Sequence, residues 1–286
     1  MRRTSDWLAA RPRLRFALAA LAVTWFFVQL WTLIGEGRLP YPGGDVTSIF
    51  DPAGDRLRAG EPVYAQAFSG AFFYGPPFAV FYGAISWLPG EAQQAIVLIA
   101  ELAALRYLGG SWFGFCLALA FPLMPWELMS GHFNLVIAAG IVLAVRGDPR
   151  VAVATAFAKL SPVVAMDPRD WRRAVPVVVV AVVITLPWLS LWPAWVNLLA
   201  DAYRTPGIGP QIPVPFLVRA IAAAALVIAW RPWSRAAAAV IVIPAFYWAS
   251  FVLFIAPVVV ILRGIVPAEA RPHPLARIGA IIARRS

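Results

Sequence analysis

Residues Phe16 to Ile34 read FALAALAVTWFFVQLWTLI, with no charged side chain among them. A helix over this run is about 28 Å long at the α-helical rise, enough to cross the hydrocarbon core of a bilayer. Arg2, Arg3, Arg11, Arg13 and Arg15 stand before it. Arginine-rich ends stay in the cytoplasm, so the amino terminus is expected inside and the segment after Ile34 outside. No small-residue cleavage site follows the run, which therefore reads as an uncleaved first span.

The rest of the chain has the same character. Of 286 residues, 61% are hydrophobic and only 13% are charged, with a mean hydropathy of +0.75. A soluble domain of this length cannot hide so much apolar surface, but lipid can. Segments of alternating polarity are lacking, which argues against a membrane β-barrel. The expectation is an all-α, polytopic cell-membrane protein forming one integral membrane domain over 1–286. The net charge of +10 is carried by arginine, with Lys159 the only lysine. In this setting basic charge marks cytoplasmic ends near anionic lipid, and no nucleic-acid partner is expected. Cys116, alone in an apolar run, offers neither a disulfide framework nor a zinc cluster.

The first polar interval, 36–71, carries Asp45, Asp51, Asp55 and Glu61. Within it Asp51-Pro52 followed by Gly60 has the punctuation of a helix: N-cap, first-turn proline and C-terminal glycine. A short helix lying on the outer membrane surface is expected there, with Ala53 and Leu57 on its buried face. Apolar runs follow at Phe72–Leu88, Ala95–Leu108, Trp112–Met124, Phe133–Val145, Val151–Met166, Ala174–Trp192, Phe216–Trp230 and Ala236–Leu262. A second polar loop is expected over 193–215, with Asp201, Arg204 and Gln211, and a basic tail over 263–286. If every run crossed, Arg146 and Arg150 would lie outside, against the positive-inside rule. Half-crossings at Trp112–Met124 or Val151–Met166 repair this, since broken helices are tolerated where they line a cavity. Roughly eight to ten transmembrane or half-membrane segments are expected.

Several residues carry possible chemistry. An ammonium in an apolar run, as at Lys159, faces a cavity or partner, or snorkels to the interface. Asp51 is explained by capping and Asp55 by pairing with Arg58. Glu101, within a span, reads as a helix-packing hydrogen-bond acceptor, and Glu127 beside Pro125-Trp126 could face a cavity. With His273 the only other histidine, a histidine-based metal site is not expected. No cofactor is called for, and a divalent metal stays open.

Ordered motifs then accumulate: Asp45 after the first run, Gly60-x-x-x-Tyr64, Phe73-Tyr74-Gly75-Pro76-Pro77, Gly131-His132-Phe133-Asn134 and Ala158-Lys159-Leu160-Ser161-Pro162. This order resembles the polyprenyl-phosphate-mannose-dependent alpha-1,2-mannosyltransferases of glycosyltransferase family eighty-seven, membrane enzymes of the GT-C class. The likeness covers about residues 40 to 175. It departs from the family pattern where His132 replaces a glutamine, where Gly75 enters the Tyr-Pro-Pro element, and where Ser250 stands in place of a late histidine. The chain is also shorter than typical members.

The resemblance implies a GT-C-like bundle whose active site faces outward. There a hexose, mannose by analogy, would pass from a polyprenyl-phosphate donor to a hydroxyl of a glycolipid or glycan acceptor. It places the proton acceptor at Asp45. Contacts to donor phosphate or sugar would fall to Lys159, Arg219, His132 and Asn134 (the last two also readable as helix caps) and Tyr74 (also an interfacial belt residue), while Arg56 and Arg58, on the expected surface helix, could meet the phosphate or lipid head groups. Membrane lipid is the other partner. Two different readings stand beside it: a lipid or solute carrier built on Lys159 and the broken helices, and a non-catalytic relative that keeps the fold.

Overall fold

A computed structural model describes residues 10–37, 44–65, 71–204, 214–243 and 248–265. Within them every regular element is helical. The chain forms thirteen α-helices among the described residues, more and shorter pieces than the runs of hydrophobicity suggest.

Helix α1, Pro12–Gly35, is long and apolar enough to span a membrane, as is the stretch Pro168–Trp188, which contains α9, Trp171–Thr185. Counting each bent helix pair as one span raises the number to as many as four. Phe16, Trp25, Phe27 and Trp31 project from α1 and only Ala22 is buried on it. A helix apolar on every side and exposed along most of its surface suits lipid. The run of exposed valines on α9, Val178 to Val180 with Val182 and Val183, has the same explanation.

Three expectations are corrected, and the expected broken runs are present. The helix in the first polar interval, α2 (Asp51–Ala59), continues backward without a break through a wider π-turned segment, Val46–Phe50. Asp51 is therefore no N-cap; its Oδ1 accepts from Gln93 Nε2 at 2.7 Å. Gly60 does end the helix, in the left-handed region at φ 72°, and Ala53 and Leu57 are buried as the periodicity requires.

The run from Phe72 shrinks to α3, Pro76–Ile85, about 15 Å long, because the paired prolines can only open a helix. It is too short to cross alone. The next runs give α4 (Gly90–Gly109) and α5 (Trp112–Leu119), bent by 114° at Gly110-Ser111, and then α6 (Met124–Ser130) and α7 (Asn134–Arg146), bent by 109°. The Val151–Met166 run breaks into α8, Pro149–Ala156, and a 3-10 turn, Ser161–Ala165.

Finally, the loop expected over 193–215 begins as an amphipathic helix, α10 (Leu191–Arg204), with Pro193 in its first turn. Leu191, Trp195 and Leu198 are its buried face and Asp201 its outer one. Gln211 lies outside the described residues. Helices α11 (Phe216–Ala229), α12 (Pro232–Ile241) and α13 (Ile255–Leu262) complete the bundle, with a 3-10 segment, Trp248–Phe254, between the last two. Of the tail, only 263–265 are described.

Close packing fixes the elements around the site. Gly54 of α2 faces the Tyr82 carbonyl of α3, where a Cβ would stand 2.6 Å from the oxygen, and Gly83 of α3 receives Leu57 of α2. Gly140 does the same between α7 and α8, where a Cβ would run into the Thr155 hydroxyl. Gly140→Ala is therefore expected to cost about 1–3 kcal/mol through overpacking, read as a lower thermal midpoint of the detergent-solubilised protein. An unchanged midpoint would show that α7 and α8 are not in contact there.

Several arginines gather at one end of the bundle. Arg146 closes α7 and donates to the Tyr107 hydroxyl, Arg263 donates to the Tyr107 carbonyl, and Arg15 lies over the Phe113 ring at 5.0 Å. Arg235, buried, donates to the Val145 carbonyl at the same end of α7. Nearby Asp167 accepts from Arg169 at 2.6 Å. Burial raises the Asp167 carboxyl, but the Arg169 hydrogen bonds outweigh it and the net shift is downward. A carboxyl depressed in the folded state stabilises the fold above its unfolded value, and that contribution fades as pH falls through the folded one. The thermal midpoint is thus expected to drop on acidification below about pH 4, and Arg169→Ala to blunt that drop; an identical acid limb in the variant would contradict it.

Candidate functional site

The opposite end of α7 carries a different arrangement. Its first turn has backbone N–H groups with no partner inside the helix. Two carboxylates from other helices meet them. Glu127 of α6 accepts from the Asn134 amide nitrogen at 2.9 Å, and Glu101 of α4 accepts from the Leu135 and Val136 nitrogens, each at 3.3 Å. Both glutamates are fully buried. These donors give the two buried carboxyl groups hydrogen-bond partners at such depth.

From Glu127 a chain of side chains runs in two directions. One way, Glu127 Oε2 lies 3.2 Å from His132 Nδ1, and His132 Nε2 lies 3.2 Å from Asp45 Oδ2. Both ring nitrogens face carboxylate oxygens, and imidazole donates from both only as imidazolium. The other way, Glu127 Oε2 accepts from Asn134 Nδ2 at 2.9 Å, while Asn134 Oδ1 accepts from Lys159 Nζ at 2.6 Å. Lys159 Nζ also donates to Ser250 Oγ at 3.4 Å. An ammonium has three donors, so among the described residues one remains for another acceptor. Asp45 likewise keeps Oδ1 without a described partner. Its side chain is 25% exposed, so this oxygen is open to solvent or ligand.

Local structure explains why these residues meet. Phe133 turns its ring into an aromatic cluster, 4.9 Å from Phe78 and 5.7 Å from Phe50, while His132 and Asn134 on either side of it join the polar chain. Phe50 lies in the helical segment that carries Asp45, so this packing brings Asp45 towards His132. Three further bonds tie the segments together. The Tyr64 hydroxyl donates to the Tyr74 carbonyl at 2.8 Å, Gly75 N donates to Phe157 O at 2.6 Å, and Trp195 Nε1 donates to Phe73 O at 2.9 Å. Burial pushes the Tyr64 phenol above its ordinary range, which keeps it a donor. The Gly75 contact is tight, since a Cβ would stand 3.0 Å from Phe157 O and push it back.

Of the residues singled out from sequence, Asp45, His132, Asn134 and Lys159 fall into one hydrogen-bonded chain, and Tyr74 packs beside it, 6.4 Å from the Phe133 ring. The remaining three stand apart. Arg58 pairs with Asp55 at 3.3 Å, both well exposed. Arg56 lines a separate cleft. Arg219 donates to the carbonyls of Val214, Ile241 and Ile243, and so clamps α11 against the end of α12. Two members of the chain were not picked out from sequence as site residues: Glu127, and Ser250, which stood out only as a departure from a motif. The available signal for Glu127 was the high cost of a carboxylate inside an apolar run.

Among the described residues no group of three or more His, Cys, Asp or Glu side chains is arranged to hold a metal ion. Comparison with protein-family models, with curated proteins and with solved structures returns no match. The described residues define an all-helical protein with helices long and apolar enough to cross a membrane.

Proposed function

We propose that this protein is a GT-C-like membrane glycosyltransferase that moves a hexose, mannose by resemblance, from a polyprenyl-phosphate donor to an acceptor hydroxyl. One observation carries this reading. A carboxylate with a free oxygen and an amine with a free donor stand at the two ends of a single chain, Asp45–His132–Glu127–Asn134–Lys159.

The chemistry needs both ends. An alcohol is a poor nucleophile, and Asp45 takes its proton as the oxygen closes on the anomeric carbon. The bond from that carbon to the phosphate oxygen breaks, and the electron pair leaves with the phosphate. Lys159 meets the growing negative charge. His132 holds Asp45 in place through Nε2, and Glu127 anchors both arms. The charge asymmetry of the bundle supports a cytoplasmic arginine-rich end and an extracytoplasmic site, because Arg15 and Arg146 lie at one end of the helices and His132 at the other.

Membranes containing the protein, supplied with radiolabelled polyprenyl-phosphate-mannose, are expected to transfer label to endogenous glycan. Label that stays wholly in the donor fraction would refute the reading. A proton-relaying carrier would also use buried acids beside a histidine; it predicts no transfer but an ion flux sensitive to Asp45.

A further inference from the structure

Arginines from three separate helices meet at the C-terminal end of α4. Arg106 stands in its last turn, with its Cζ 4.9 Å from the centre of the Trp112 ring. Arg146, from the last turn of α7, donates to the Tyr107 hydroxyl at 3.2 Å, and Arg263, at the end of α13, donates to the Tyr107 carbonyl at 3.0 Å. The Arg263 guanidinium also lies against the bend after α4, where a Cβ on Gly110 would stand 3.1 Å from its Cζ. Helix ends account for part of this, since cations suit C-terminal turns. They do not use the groups up. A guanidinium has five N–H donors, and the bonds to Tyr107 take one from each. Arg146 and Arg263 are exposed, and among the described residues neither pairs with a carboxylate. Like charges gathered on one tyrosine without a counter-ion repel each other and attract an anion.

The surface that leads to these arginines is apolar. On α4, Ile96, Ile99 and Ala103 follow one another at helical spacing towards Arg106 and Gly110, and all three are exposed. On α13, Val258, Ile261 and Leu262 are exposed just before Arg263. We propose that this end of α4 and α13 is a binding site for an anionic phospholipid. Its phosphodiester is held by Arg146 and Arg263, and its chains lie along the exposed residues of the two helices. Basic side chains at the end of an apolar helix surface match an amphiphile with a negative head. A soluble anion would leave the apolar residues uncovered. A zwitterionic lipid brings a choline cation that the guanidiniums repel. Trp112, exposed beside Arg106, suits the headgroup level. The site lies at the opposite end of α7 from His132 and is independent of sugar transfer.

The test offers phosphatidylglycerol and phosphatidylcholine of identical chains together to the full-length protein in detergent micelles. Lipid that stays with the protein through gel filtration is extracted and its two classes are quantified. The wild type is expected to retain phosphatidylglycerol in preference. Arg146→Gln and Arg263→Gln are each expected to cut that preference about fivefold, the worth of one basic residue beside anionic lipid. Arg58→Gln, whose charge is already paired with Asp55, is expected to leave it unchanged. A second arm needs no variant. Near an ionic strength of about 1 M, where the Debye length is about 3 Å, the preference of the wild type should largely vanish. Equal retention of the two lipids by the wild type, a preference that survives in both variants, or an equal loss in Arg58→Gln would overturn the assignment. Inorganic phosphate at millimolar concentration should not displace the lipid; displacement would reassign the arginines to a soluble anion.

Discussion

Asp45→Asn is expected to lower sugar transfer by about 10²–10⁴-fold, the usual contribution of a positioned general base, while leaving the thermal midpoint where it is. The two halves of this expectation come from the same geometry. The Asp45 side chain is a quarter exposed, and its one described polar contact is to His132 Nε2. An asparagine oxygen still accepts there, more weakly than a carboxylate, and the position is partly exposed, so the fold loses little. What the amide cannot do is take a proton from an alcohol. Transfer by the variant within a few-fold of wild type would remove Asp45 from the base role. A collapse of the midpoint would instead make it a structural residue.

Glu127→Gln carries the second large effect, and here stability and activity fall together. The wild-type carboxylate receives the Asn134 amide, the Asn134 side-chain NH₂ and His132 Nδ1. A glutamine keeps one oxygen and points an NH₂ group at donors with the other. At least one buried donor then loses its acceptor, at a cost of about 1–3 kcal/mol. Asn134 no longer has a fixed rotamer, and Lys159 and His132 lose the anchor they share. The expected readouts are a lower midpoint and a raised KM for the lipid-linked donor. A variant with both parameters at wild-type values would show that the chain of hydrogen bonds does not act as a unit.

The helical class was legible because it follows from composition and run length, which are properties of segments. Helix α1 and the short helix ending at Gly60 are read from adjacent residues, and both helices are present. What sequence could not supply was the meaning of breaks. The 109° bend before Asn134 turns an interrupted run into a helix start aimed at two glutamates. Hydropathy alone sees only a short apolar stretch there. Glu127 looked like an isolated acid because its partners lie around a bend. Ser250 stands near Lys159 across a long separation in sequence that no local pattern encodes. The amphipathic α10 was hidden because Pro193 and the polar residues Asp201 and Arg204 read as a loop, while its apolar positions recur only at helical spacing. Arg219 illustrates the opposite error. A lone arginine near a helix start invites a ligand, yet its guanidinium closes orphan backbone carbonyls at the end of α12, a structural task with the same sequence signature.

The most direct trial of the whole proposal is a side-by-side assay of purified wild type and Asp45→Asn in proteoliposomes. Each receives radiolabelled polyprenyl-phosphate-mannose and octyl α-mannobioside, and the labelled product is resolved by lipid extraction. The account predicts labelled trisaccharide from the wild type and at least a hundredfold less from the variant. No labelled product from a folded wild type, or equal product from both, would contradict it.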